Sequence, residues 1–222
     1  MIDIFDILGP VMVGPSSSHT AGAVRIGAMG RTLLGGTPVK ARLHLHGSFA
    51  ETGVGHGTDK ALIAGLLGMK PDDLEIPNSF EHAERQGLEF TFDEVDLKNA
   101  HPNTVAMELT AADGHTLNVQ ACSIGGGRIR VTMLDGVAVS FTGAYNTLII
   151  HNKDDRGHIA DVTTTLSRAR VNIANMSLSR SARGGNAIMI IETDEKVPPV
   201  VLQFLKEFAG IIHLTYYEKE DE

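Results

Sequence analysis

Cysteine is nearly missing from this 222-residue sequence: Cys122 is the only one. A single thiol excludes an intrachain disulfide, as expected of a cytoplasmic protein. It also excludes an iron–sulfur cluster held by this chain alone, because such clusters typically take four cysteine ligands or their substitutes. Tryptophan is absent and aromatic residues make up only 5%. Lysine and arginine are scattered without a basic run, and the formal net charge is -8. That balance argues against nucleic acid or an anionic membrane surface as a partner. No apolar run approaches the roughly 18 residues of a membrane span. The opening Met1-Ile2-Asp3-Ile4 is acidic and lacks the basic start of a secretory signal. What is present is a 42% apolar content, enough for real cores, on a length that fits one large domain or two small ones.

The most chemically loaded stretch is Gly14-Pro15-Ser16-Ser17-Ser18-His19-Thr20-Ala21-Gly22. Gly-Pro sets a turn, and four hydroxyls and an imidazole then arrive where a helical pattern begins. The first turn of a helix carries free N–H groups and partial positive charge, which attract anions such as a carboxylate. His19 beside that end is biased towards the neutral imidazole, which can take a proton near neutral pH. The plainer reading is that Ser and Thr before a helix are N-caps and nothing more.

Residues 2–8 read as a short helical turn. Residues 20–34 read as a helix with Ala23, Ile26, Gly27, Gly30, Leu33 and Leu34 on one small-residue face, ended at Gly35-Gly36-Thr37-Pro38. Residues 39–46 alternate as a half-buried strand, placing His44 and His46 on one face. Two histidines are a metal pair only with further ligands nearby, and no convincing set is apparent. The run Gly47 to Asp59 holds four glycines and reads as a loop between that strand and a helix over 59–67. It is neither a P-loop nor a dinucleotide fingerprint. It serves either as a ligand-approaching backbone or as a flexible connector. Residues 70–87 read as a loop with one helical turn. Strands follow around 88–92, 105–111, 117–121 and 129–133, with a hairpin signal at Asp113-Gly114 and a break at Ser123 to Arg128. Residues 135–145 read as a short strand or connector.

From Thr147 the order is strand, loop, helix from Ile159, strand 173–180, hairpin turn, strand 187–192, helix 197–208 and strand 211–217. This βαββαβ order is a ferredoxin-like sandwich. The acidic tail 218–222 reads as frayed. The fold class is therefore α+β. An N-terminal α+β domain with a mainly antiparallel sheet occupies 1–142, and a ferredoxin-like domain occupies 146–222.

Gly14 to Thr20, the Gly-Ser-Phe-Ala…Gly-His-Gly-Thr-Asp run at 47–59, His101-Pro102-Asn103-Thr104 and Gly125–Gly127 together resemble the beta subunit of bacterial two-subunit, iron–sulfur-dependent L-serine dehydratases. The loop Asp154 to Ile159 and the step Asn172-Ile173-Ala174 resemble an ACT domain. The first resemblance implies conversion of L-serine to pyruvate and ammonia by loss of water. It also implies a partner alpha subunit holding a four-iron four-sulfur (4Fe-4S) cluster, and no pyridoxal phosphate. Carried onto this sequence, it makes His19 the proton abstractor and Ser16, Ser17, Ser18 and Thr20 the substrate-positioning hydroxyls. Thr52, Gly53, His56 and Asp59 join them as substrate contacts, with no metal ligand on this chain. The second resemblance implies self-association and effector contacts at Asp155, Gly157, His158 and Ile159. An amino-acid-sensing regulatory subunit without catalytic chemistry is the alternative.

Overall fold

The computed structural model describes residues 11–219, so the helical turn expected over 2–8 and the end of the acidic tail lie outside the described residues. The chain divides into two units, 1–135 and 136–222. Both carry helices and sheet, as an α+β chain should.

The first unit opens with a π-helical turn, Ser17–Ala21, that runs into α1 (Gly22–Leu34). All six residues of the expected small-residue face of α1 are buried. Gly35, at φ 88°, caps its carbonyl end. Strand β1 (Lys40–His46) follows, then α2 (Ser48–His56) and α3 (Thr58–Leu67). Helices α1 and α3 cross with their backbones in contact at two glycines. A Cβ on Gly27 would lie 2.2 Å from the Leu62 carbonyl oxygen, and one on Gly65 would lie 2.0 Å from that of Val24. This is why a helix tolerates the propensity cost of Gly27.

Helix α2 corrects the loop expected over 47–59. Of the four glycines in that run, Gly47 (φ 55°) and Gly57 (φ 68°) take left-handed conformations and bracket the helix. Gly53 and Gly55 sit inside it. Glycine clustering there marks the two ends of a helix, not one long loop. Residues 70–87 are also more ordered than expected. After a 3-10 turn at Ile76–Asn78 comes α4 (Ser79–Gln86), two full turns, with Ser79 and Ala83 buried. The Ser79 hydroxyl donates to the Lys60 carbonyl and ties α4 to α3.

Strands β2 (Glu89–Glu94), β3 (Thr104–Thr110), β4 (Thr116–Gly125) and β5 (Arg128–Leu134) complete the first unit. Within it the strand order is β2-β1-β3-β4-β5. Every pair is antiparallel except β1 with β2, which runs parallel through a helical crossover. Alternation sends Ala41, Leu43, Val105, Met107, Val119 and Ala121 into the core. The same alternation leaves His44 and His46 on the opposite face. There His44 is held by Asp93 and Glu108, and His46 Nδ1 accepts the Leu97 N–H. No group of three or more possible metal ligands forms among the described residues.

The second unit begins with β6 (Val137–Phe141), the short strand expected in the 135–145 stretch. It continues with β7 (Asn146–Lys153), α5 (His158–Arg168), β8 (Ile173–Arg180), β9 (Asn186–Thr193), α6 (Pro199–Lys206) and β10 (Ile211–Tyr217). The antiparallel order β10-β7-β9-β8 completes the βαββαβ sandwich. Leu148, Ile150, Met189, Ile191 and Leu214 from the sheet meet Val162, Leu166 and Leu205 from the helices in one core. Helix α6 is shorter than the expected 197–208. Pro198 holds ψ at 139°, which keeps the chain extended, and Pro199 then starts the helix.

Candidate functional site

The Gly14–Gly22 stretch folds as its residue types dictate. Ser16 is the N-cap, in extended conformation, and its hydroxyl accepts the His19 N–H at 3.2 Å. The turn it caps is π-helical: the Gly22 N–H reaches the Ser17 carbonyl. A π-turn widens the helix by one residue, and such turns recur at functional sites. Here it swings His19 towards α2.

His19 is held at both ring nitrogens. The Ser16 hydroxyl lies 3.3 Å from Nδ1. Ser48 and Thr52 hydroxyls lie 3.0 and 3.2 Å from Nε2. The Thr52 hydroxyl spends its hydrogen on the Ser48 carbonyl at 2.8 Å. It can therefore meet Nε2 only as an acceptor, so Nε2 carries the ring hydrogen and Nδ1 the lone pair. Phe49 packs edge-on against the ring at 5.4 Å, and the His56 ring stands 5.0 Å away. Burial lowers the pKa of His19 below the ordinary 6.5. The neighbouring His56 lowers it further, while the hydrogen bond to Ser48 pulls the other way. The imidazole is therefore neutral near pH 7.

Thr20 is buried, and its hydroxyl donates to the His56 carbonyl at 3.4 Å. Gly53 is buried one turn above, where a Cβ would press on Thr58 at 3.3 Å. Thr52 and His56 thus gather around His19 with Ser16. Ser17, Ser18 and Asp59 make no hydrogen bond to the ring; Asp59 accepts the Lys60 N–H at the start of α3. Ser48 and Phe49 were not singled out from the sequence. For Ser48 the signal was helical spacing: Ser48, Thr52 and His56 fall at i, i+4 and i+8, one stripe of α2. Nor was Ser123 on β4. Its buried hydroxyl has no partner among the described residues, and a Cβ on Gly22 would lie 2.3 Å from it.

In the second unit, the 154–159 loop leads into α5. Gly157 (φ 100°) is its N-cap, Ile159 is exposed, and the His158 ring lies so close to Gly210 that a Cβ there would be 2.4 Å from Cε1. Among the described residues, Asp155 accepts the next N–H, from Arg156. Its neighbour Asp154 binds the loop to the β8–β9 turn through the Gly184 N–H and Arg180, contacts that hold its carboxyl below the usual range.

Fit for a cluster can be judged from Cys122. The thiol is buried in β4, and burial pushes its pKa up, although Arg130 opposes the shift. A cluster ligand is a thiolate, so this residue does not suit the role, and no other cysteine exists. No helix among the described residues is long and apolar enough to cross a membrane.

A two-unit α+β chain, with a hydroxyl-bracketed neutral imidazole in the first unit and an ACT-type sandwich as the second, is the class defined by fold and site. The serine dehydratase beta chain family matches residues 1–133, and the ACT domain family matches 146–210. The chain belongs to the serine dehydratase beta chain family. It is 39% identical over 212 residues to a probable L-serine dehydratase beta chain of Bacillus subtilis, covering 96% of each. It is 38% identical over 192 residues to the L-serine dehydratase beta chain of Peptoniphilus asaccharolyticus, covering 86% of each. It also matches L-serine dehydratase 2 of Escherichia coli at 32% over 153 residues, 58% of this chain but only 33% of that one.

Proposed function

We propose that this chain is the beta subunit of a cytoplasmic L-serine ammonia-lyase. Such an enzyme removes water from L-serine, and the resulting enamine hydrolyses to pyruvate and ammonia. The observation that carries the reading is His19, neutral and held by Ser16, Ser48 and Thr52. Elimination needs a base for the α-proton, and a neutral imidazole is that base. The Ser16 hydroxyl covers the Nδ1 lone pair. Turning its hydrogen to a substrate carboxylate oxygen would bind the substrate and free Nδ1 in one movement. Ser17, Ser18 and Thr20 would add carboxylate donors at the same turn. Thr52, Gly53, His56 and Asp59 would line the remainder.

Hydroxide also needs an electrophile to leave. In this reading a partner alpha subunit holds the 4Fe-4S cluster, since the described residues of this chain do not suit it. The E. coli relative, about three times as long as the region it shares, is consistent with a second chain supplying what this one lacks. The two functional parts would be 1–142, for chemistry, and 146–222, an ACT domain. The latter would pair with a second copy and receive an effector near Asp155, Gly157, His158 and Ile159. No pyridoxal phosphate is involved.

Anaerobic mixing with the alpha subunit and a pyruvate assay test this. The mixture should turn over L-serine while either chain alone does not. His19→Ala should cut kcat by about 10²–10⁴-fold with assembly intact. Normal saturated kcat with lost activation would instead make His19 an effector contact and the chain a sensor of amino acids.

A further inference from the structure

We infer that the first unit carries a second ligand site, a pocket for a small carboxylic acid without an ammonium group, on the sheet face opposite His19. The pocket has a volume of about 280 Å³. Strand alternation fixes its side. Ser123, Met107 and Leu109 meet α1, as the close approaches to Gly22 and Gly30 record. Thr104, Cys122 and Arg130 form one cross-strand row and point the other way. This pocket therefore does not share the cleft of the His19 cluster.

Its lining is chemically one-sided. Acids outnumber lysine and arginine 27 to 19 on this chain, yet the pocket is lined by Lys98, His101 and Arg130 and by no Asp or Glu. Neither Lys98 nor Arg130 forms an ion pair among the described residues, and nothing in the pocket neutralises them. Asn99, Gln120 and Thr132 add neutral polar atoms.

The donors are also placed in advance. The Leu97 N–H bonds to His46 Nδ1, which pins the turn bearing Lys98 to the sheet. The Asn103 N–H bonds to His101 Nδ1 at 3.1 Å, so the neutral ring carries its hydrogen on Nε2, away from that bond. The Thr104 hydroxyl donates to the His101 carbonyl at 2.6 Å, and the Ser123 N–H donates to the Asn103 carbonyl. Gln120 donates its side-chain amide to Thr132. A carboxylate matches the Arg130 fork, and a second oxygen on the ligand matches the Asn99 and Gln120 amides. An amino acid would set its ammonium against two cationic side chains, Lys98 and Arg130. The pocket therefore selects 2-oxo or 2-hydroxy acids over the corresponding amino acids.

Titration of the full-length ¹⁵N-labelled chain tests this, with pyruvate, L-lactate, L-alanine and inorganic phosphate as probes. Pyruvate and lactate should give saturable shifts at the amides of residues 98–104 and 120–132, with L-alanine at least tenfold weaker. Lys98→Gln and Arg130→Gln, both exposed in the parent, should each weaken pyruvate binding about tenfold, or roughly 1.4 kcal/mol. The absence of saturable shifts, equal response to alanine and pyruvate, or shifts that persist when Lys98→Gln and Arg130→Gln are combined would overturn the site. Phosphate saturating the same amides at lower concentration than pyruvate would overturn the carboxylate assignment. The comparison of pyruvate with alanine needs no variant, so it decides even if a substitution disturbs the fold. Activity is not read, so the outcome is separate from that of the proposed dehydratase chemistry.

Discussion

At the residue scale, His19 is the position where environment most changes chemistry. Its proton affinity is depressed mainly by burial and secondarily by His56. A folded-state pKa below the unfolded value of 6.5 means that the folded protein binds this proton less readily. The associated stability is present above pH 6.5 and is lost as pH falls through the lowered value. His19→Gln should flatten that part of the stability profile, measured by denaturant unfolding between pH 7.5 and 5. His56→Gln removes the smaller of the two depressing causes. The His19 Cε1–H titration followed by NMR should then move upward but stay below 6.5, because burial remains. A His19 titration unchanged by His56→Gln would mean that the ring feels only desolvation. In the assembled enzyme the same depression predicts an acid limb of kcat/KM below pH 6.5 and none from His19 above it.

At the element scale, the α1–α3 crossing decides the stability of the first unit. Gly27→Ala places a methyl 2.2 Å from a backbone oxygen that has no rotamer to escape into. The helices must separate, at a cost of about 1–3 kcal/mol, visible as a lower midpoint in thermal unfolding. Gly55→Ala is the contrasting case. It lies in α2 with nothing within 4 Å of an added Cβ, so it should stabilise by about 0.5–1 kcal/mol. The same elements show what the sequence discloses. The small-residue face of α1, the alternating β1 and the whole βαββαβ order were legible, because burial imposes a period that composition displays. Helix α2 was not. Its glycines look like loop residues, and only the left-handed backbone at Gly47 and Gly57 reveals that two of them are helix ends. The candidate site was half legible for the same reason. His19 and Ser16 stand in one local motif. Ser48 joins them only once residues 48–56 are wound so that Ser48, Thr52 and His56 share a stripe. The orphaned Ser123 hydroxyl comes from a strand about 100 positions away and carried no local signal.

At the scale of the whole molecule, the division at 135/136 separates two cores that are each complete in kind. The second unit draws its core from both helices and all four strands of its sheet: Leu148 and Ile150 from β7, Met176 from β8, Met189 and Ile191 from β9, Leu214 from β10, and Val162, Leu166 and Leu205 from the helices. Its ladder is antiparallel throughout, built from one central pair, β7 with β9, flanked by β10 and β8. A sandwich whose apolar cluster lies wholly within its own chain segment has what independent folding requires. Residues 136–222 expressed alone should therefore unfold cooperatively, with coincident circular dichroism and NMR transitions. Leu166→Ala in that fragment empties a fully buried leucine site in the last turn of α5. It should cost about 2–5 kcal/mol, lowering the denaturant midpoint while leaving the slope unchanged. Applied to the full chain, the same substitution should lower one transition and leave the His19 unit's transition in place. A single merged transition that falls as a whole would show that the two units depend on one another for stability.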